Sequence, residues 1–196
     1  MKKLLVIFSL ISFASYSQAT KLTSYVSPLD NNEYSIYVTE KELGYDIHIE
    51  TPLLENGSGG FTMNRDEHKR FLDVLIYVKT KYVEWTAVAN DNNVPESTYK
   101  SLNKPFLVKP YFYLGNKEFQ AHKTILQFYF GVAKFGTYII ALSDTELKAI
   151  NNPIITHNQL AFSFIDEKSL NDFINKITVS KVYTHLSNKK ENLFKF

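Results

Sequence analysis

The chain of 196 residues contains no cysteine. This excludes disulfide staples, thiol catalysis and cysteine-ligated metal, and it leaves stability to a hydrophobic core, which is feasible at this length. Beyond the N-terminal segment no stretch approaches the roughly 18 uninterrupted apolar residues that a membrane-crossing helix needs. A basic excess is also missing. The formal charge is +2, and it falls to zero once Lys2 and Lys3 leave with the segment that carries them. Such a balance argues against non-specific nucleic-acid binding, which rests on a net basic surface or stripe. Catalytic signatures are as scarce. There is no Gly-x-Ser-x-Gly elbow and no His-Glu-x-x-His pair, and the glycine-rich stretch 56–60 lacks the Gly-Lys-Ser/Thr ending of a phosphate-binding loop. His122, His157 and His185 stand singly, so a zinc site would have to be assembled entirely by the fold. Neither a metal nor a cofactor is expected.

What is present begins with a leader. Met1-Lys2-Lys3, an apolar run from Leu4 to Phe13 and a small-residue exit with Ser17 and Ala19 at the −3 and −1 positions read as a secretory signal peptide over residues 1–19. The mature protein is therefore expected in the periplasm or outside the cell. No cysteine stands at the lipoprotein position. Residues 20–188 are expected to form a single α+β domain. Residues 189–196, charged and then aromatic, form a tail that docks, frays or carries a sorting or partner-binding signal.

The longest regular signal lies over 64–90. Phe71, Leu75, Val78, Tyr82, Trp85 and Ala89 alternate steps of four and three, the spacing of one helical face. Asn64 with Glu67 three residues on reads as a capping box, and Asn90-Asp91-Asn92-Asn93 with Pro95 marks the exit. Leu72, Ile76 and Val83 add a second apolar stripe, so a wide side is expected to pack against a sheet and a further element. Lys79 projects between the stripes, in line with His68 and Thr86; its stem either covers apolar surface or holds a perturbed amine.

Strands are read at 33–39, where Tyr34, Ile36 and Val38 alternate with Ser35, Tyr37 and Thr39, at 45–50, where Tyr45, Ile47 and Ile49 alternate with polar residues, the two joined by a hairpin ending in Gly44, and at 61–63 before the helix. After a polar connection come 111–114 and 117–121 around Gly115-Asn116, then 124–133 and 138–142 around Lys134-Phe135-Gly136. Ser143 or Asp144 is expected to cap a short helical turn through Ile150. A strand at 160–164 leads to a second helix near 166–178, capped by Asp166, with Leu170, Phe173, Ile174 and Ile177 on one face. The expected fold is α+β, an antiparallel sheet or sheets covered by the two helices. Strands precede a helix twice, which leaves open a pseudo-repeat of halves 20–93 and 105–188.

Two clusters carry what chemistry the sequence offers. Asp46, His48 and Glu50 alternate on one strand and share a face, as catalytic or ligating groups would; any strand with one wet face presents three polar residues in the same way. Aromatics crowd the second half, and Tyr111, Tyr113 and Tyr129 are candidates for a ligand platform on an outer sheet face, or for rings that stabilise neighbouring strands.

The run Lys81-Tyr82-Val83-Glu84-Trp85-Thr86, followed by Asn90 and Asn92-Asn93-Val94, resembles a segment of small uncharacterised secreted proteins of Bacteroidetes-type bacteria. The resemblance implies an exported α+β protein and transfers no activity. The function expected is an exported non-enzymatic binding or interaction module for a protein, peptide or glycan. The alternatives are a small metal-dependent hydrolase centred on Asp46, His48 and Glu50, and an envelope assembly protein or homo-oligomer.

Overall fold

A computed structural model describes residues 19–29, 31–53 and 57–192. Most of the leader, Asn56 of the glycine-rich stretch and the aromatic end of the tail lie outside the described residues.

Four strands come first: β1 (Thr20–Val26), β2 (Glu33–Lys41), β3 (Gly44–Pro52) and β4 (Ser58–Asn64), followed by helix α1 (Arg65–Asp91). Then come β5 (Tyr99–Ser101), β6 (Phe106–Leu114), β7 (Lys117–Gln120), β8 (Thr124–Ala133), β9 (Gly136–Ser143), β10 (Leu147–Ala149), β11 (Asn152–His157) and β12 (Ala161–Phe164). Helices α2 (Glu167–Lys176) and α3 (Val179–Asn192) follow. The fold is α+β, and among the described residues every strand pairing is antiparallel. The main sheet runs β1-β2-β3-β4-β6-β8-β9-β12, with β5 extending the edge of β8 and β7 the edge of β6. Its last strand turns back toward the first ones. Leu53 bridges to Leu160, and the Ser163 amide donates to Tyr34 Oη at 3.2 Å.

Helix α1 packs on the inner face because its four-three spacing points Phe71, Val74, Leu75, Val78 and Tyr82 one way, and all five are buried. The Phe71 ring meets Phe61 of β4, Phe106 of β6 and Phe162 of β12. Near the far end the Tyr82 hydroxyl donates toward the Thr137 and Ile165 carbonyls, 3.2 Å each. The second stripe is not buried: Ile76 is 50% and Val83 46% exposed, and Leu72 is half-buried. The sheet and α2 cover only part of the circumference, and scattered surface apolar residues are ordinary. Lys79 reaches from α1 to α2, donating to Asn171 Oδ1 at 3.2 Å.

The start of α1 is fixed by its cap. Asn64 Oδ1 accepts from the Asp66 and Glu67 amides at 3.1 and 2.9 Å, and Glu67 Oε2 accepts from the Asn64 amide at 2.9 Å. Asn64→Ala is expected to lower the unfolding free energy by about 1 kcal/mol, read from a urea transition, by orphaning those first-turn donors.

Two expectations are corrected and one is extended. The segment after Asp144 is strand β10, not a capped helical turn: Asp144 Oδ1 accepts from the Thr124 hydroxyl and the Ile125 amide and so is tied to β8. The second helix near 166–178 is followed by a third, α3, after a break at Ile177-Thr178. Ser58 to Gly60 of the supposed loop belong to β4. Strands β1, β5 and β11 had no counterpart in the sequence reading. Among the described residues no helix is long and apolar enough to cross a membrane.

Candidate functional site

Because side chains alternate across a strand, burying Ile36, Val38, Ile47, Ile49, Phe61 and Met63 sends Tyr37, His48, Glu50 and Thr62 to the opposite, outer face. Register then groups them. Tyr37 stands opposite His48, and His48 opposite Thr62. One step along, Glu50 stands opposite Gly60, Gly60 opposite Tyr111, and Tyr111 opposite Gln120. The β6–β7 hairpin turns at Gly115, whose φ of +59° suits glycine, and so sets Tyr113 opposite Glu118. Apart from the two glycines, these residues line a cavity of about 380 Å³ together with Thr39 and Ala19.

Gly60 makes room at its floor. A Cβ there would run into the Ile49 carbonyl oxygen and come within 2.6 Å of Tyr111 Oη, so the Tyr111 ring lies across the place where a side chain would be. Tyr111 is only 4% exposed, and its hydroxyl has no hydrogen-bond partner among the described residues. Its phenol is pushed up, first by burial and then by the Glu50 charge. The Tyr113 ring stands edge-on to it, centroids 5.8 Å apart.

The Tyr113 hydroxyl lies 3.4 Å from Glu50 Oε1 and 3.2 Å from Glu118 Oε2. It has one proton for two carboxylates, so only one receives it at a time. Gln120 Nε2 donates to the other oxygen of Glu118 at 2.7 Å. Glu50 is held above the usual carboxylate range, chiefly by burial and also by the like charge of Glu118, against the hydrogen bond from Tyr113. Glu118 and Gln120 are exposed and form the rim, while His48 and Glu50 are half-buried. His48 is held between two hydroxyls, Nε2 at 3.0 Å from Thr39 Oγ1 and Nδ1 at 2.9 Å from Thr62 Oγ1. Burial lowers its pKa, against the pull of Asp46 and Glu118, which favours a neutral ring that donates from one nitrogen and accepts at the other.

The two candidate clusters thus meet in one place: His48 and Glu50 share the cavity with Tyr111 and Tyr113. Asp46 does not join them. It pairs with Lys41 at 3.4 Å near the hairpin end. Alternate residues on a strand lie about 6.7 Å apart, so Asp46 and Glu50 are roughly 13 Å apart, too far to ligate one ion. Among the described residues no group of three or more His, Asp or Glu is arranged to hold a metal. Tyr129 also stands elsewhere, half-buried on β8 between Ser101 and Ile140. His122, His157 and His185 remain apart; His157 packs against Phe112, and His185 Nε2 lies 3.0 Å from Thr20 Oγ1.

Sequence reading missed Tyr37, Thr39, Thr62, Glu118 and Gln120. A signal existed for two of them, because a two-residue turn at Gly115-Asn116 forces Tyr113 opposite Glu118 and Tyr111 opposite Gln120. A second cavity, about 410 Å³ between α1 and the start of β6, is lined by charges of both signs, Glu67, Arg70, Asp73 and Lys104. Comparison with protein-family models, with curated proteins and with solved structures finds no match for the chain.

Proposed function

We propose that the chain is an exported, non-enzymatic binding module that holds a small polar ligand in the cavity on the outer face of β2, β3, β4, β6 and β7. In this reading α1 and α2 cover the inner face as scaffold and leave the outer face free for recognition. One observation carries it. Tyr111 is almost wholly buried, yet its hydroxyl opens on the cavity with no hydrogen-bond partner among the described residues, so a group that enters the cavity meets a donor and acceptor fixed in place and not yet used. A bound ligand supplies the missing hydrogen bond.

The test is a thermal-shift screen of small sugars, amino acids and amines, followed by titration calorimetry of the hits. Hits on the wild type are expected to weaken by about 10-fold in Tyr111→Phe, the size of one hydrogen bond to a buried group. Hits indifferent to Tyr111 and Tyr113, or no hits, would count against this cavity.

A hydrolytic reading draws on the same groups, since a carboxyl held above its ordinary range beside a second carboxylate is the arrangement used in glycoside hydrolysis. Turnover of aryl glycosides that Glu50→Gln abolishes would move the protein to that class. A metal-dependent version would have to do without Asp46, which pairs with Lys41.

A further inference from the structure

Resting on the reading of this cavity as a binding site, we infer that its occupant is a small protonated amine, seated between Glu50 and Glu118 with an N–H directed at Tyr111 Oη. The charge arrangement leads there. The lining side chains hold two carboxylates and no lysine or arginine; Ala19, which also borders the cavity, leaves with the leader on export and places the Thr20 amine near the rim, where it competes with an added amine and does not fill the cavity. Lys21 pairs with Glu33 at 2.9 Å, Lys41 with Asp46 at 3.4 Å and Lys109 with Glu67 at 2.9 Å; the Lys21 charge acts on Glu50 only from a distance. His48, held between Thr39 and Thr62, supplies no ready positive charge. Tyr113 satisfies only one acid at a time, so the other retains an open acceptor position.

An ammonium group answers each of these demands together. It has up to three N–H donors, one for each carboxylate and one for the unpartnered Tyr111 oxygen. The tyrosine rings add the attraction of a cation for an aromatic face. A neutral sugar forms hydrogen bonds but leaves the partly dehydrated charge of the acids uncompensated. An anion is repelled. A bare calcium ion needs six to eight oxygens at about 2.3–2.6 Å, whereas the two carboxylates supply at most four and the Thr39 and Thr62 hydroxyls are turned to His48.

The experiment is calorimetric titration of the mature chain, from Thr20 on, at constant ionic strength, with butylammonium, pentanol, methyl glucoside and calcium chloride in turn. Butylammonium is expected to bind at least 10-fold more tightly than pentanol. Glu50→Gln and Glu118→Gln are each expected to weaken it by 10-fold or more while the unfolding midpoint stays near that of the wild type. The wild-type ranking of cation over alcohol stands as a test without the variants. Binding of the glucoside or of calcium, lost on Tyr111→Phe, with no preference for the amine, would overturn the amine and leave the cavity as a site. No binding of any probe would overturn both.

Discussion

Phe162→Ala is expected to lower the unfolding free energy by about 3–5 kcal/mol, the range for truncating a buried aromatic. Phe162 lies on the last strand, yet its ring touches six others: Tyr34 of β2, Phe61 of β4, Phe71 of α1, Phe128 of β8, Phe164 of β12 and Phe173 of α2. Centroid distances run from 5.8 Å to Phe164 up to 6.5 Å to Phe71, the range in which rings pack edge-on or offset. Alanine would open a cavity walled by strands and helices from both ends of the chain, and neighbours held by so many elements collapse poorly into it. A domain of ordinary stability has about 5–15 kcal/mol to lose, so the variant should sit near the edge of folding. Denaturant unfolding with a shared slope is the measurement. Phe135→Ala, on an exposed turn residue, is the control and should shift the midpoint little. A loss at Phe162 no larger than that control would mean the last strand is not part of the cooperative core.

That centre was not readable beforehand, for a physical reason. Periodicity reports which face of a segment is buried, and it did so correctly for Tyr34, Ile36 and Val38, for Tyr45, Ile47 and Ile49, and for Leu170, Phe173, Ile174 and Ile177. Capping chemistry is local, so Asn64 and Asp166 were legible as helix starts. Strand β1 escaped because Tyr25 alone among its apolar residues is fully buried and no alternation emerges. Asp144 misled because a carboxylate before an apolar pair looks like a cap, while its true donors lie on β8. The site divides in the same way. His48 and Glu50 are neighbours on one strand and their shared face was visible; what they share it with depends on pairings with β2, β4 and β6 that join residues far apart in sequence. Asp46 and Tyr129 had equally good local patterns, and register places them elsewhere.

Acidification from pH 7 to 4 should cost the protein about 3 kcal/mol through one residue, His68. Its side chain is 0% exposed on the inner side of α1. The Tyr45 hydroxyl, whose own pKa burial pushes up to about 12, is hydrogen-bonded to Nδ1 at 2.8 Å. Nε2 has no partner in hydrogen-bond geometry among the described residues, and the weaker approach of the Ile177 backbone only partly offsets burial. Burial is the dominant effect and brings His68 from its ordinary 6.5 down to about 4 in the folded chain. Between those two values the unfolded chain binds a proton that the folded chain refuses. The contribution is therefore fully present above about pH 6.5, falls as pH drops through that window, and reaches its limit near pH 4. Other groups titrate over the same range: His48 also has a lowered pKa, and Glu50 has a raised one that acts in the opposite sense. The comparison must then be between the wild type and His68→Gln, each unfolded in urea at pH 7 and at pH 4. Glutamine cannot take up the proton, so the variant should lose about 3 kcal/mol less than the wild type across the interval, whatever its starting stability. Parallel losses in the two proteins would show that His68 is hydrated or paired in solution, and that the seam between Tyr45, α1 and the Ile177 break is looser than its geometry implies.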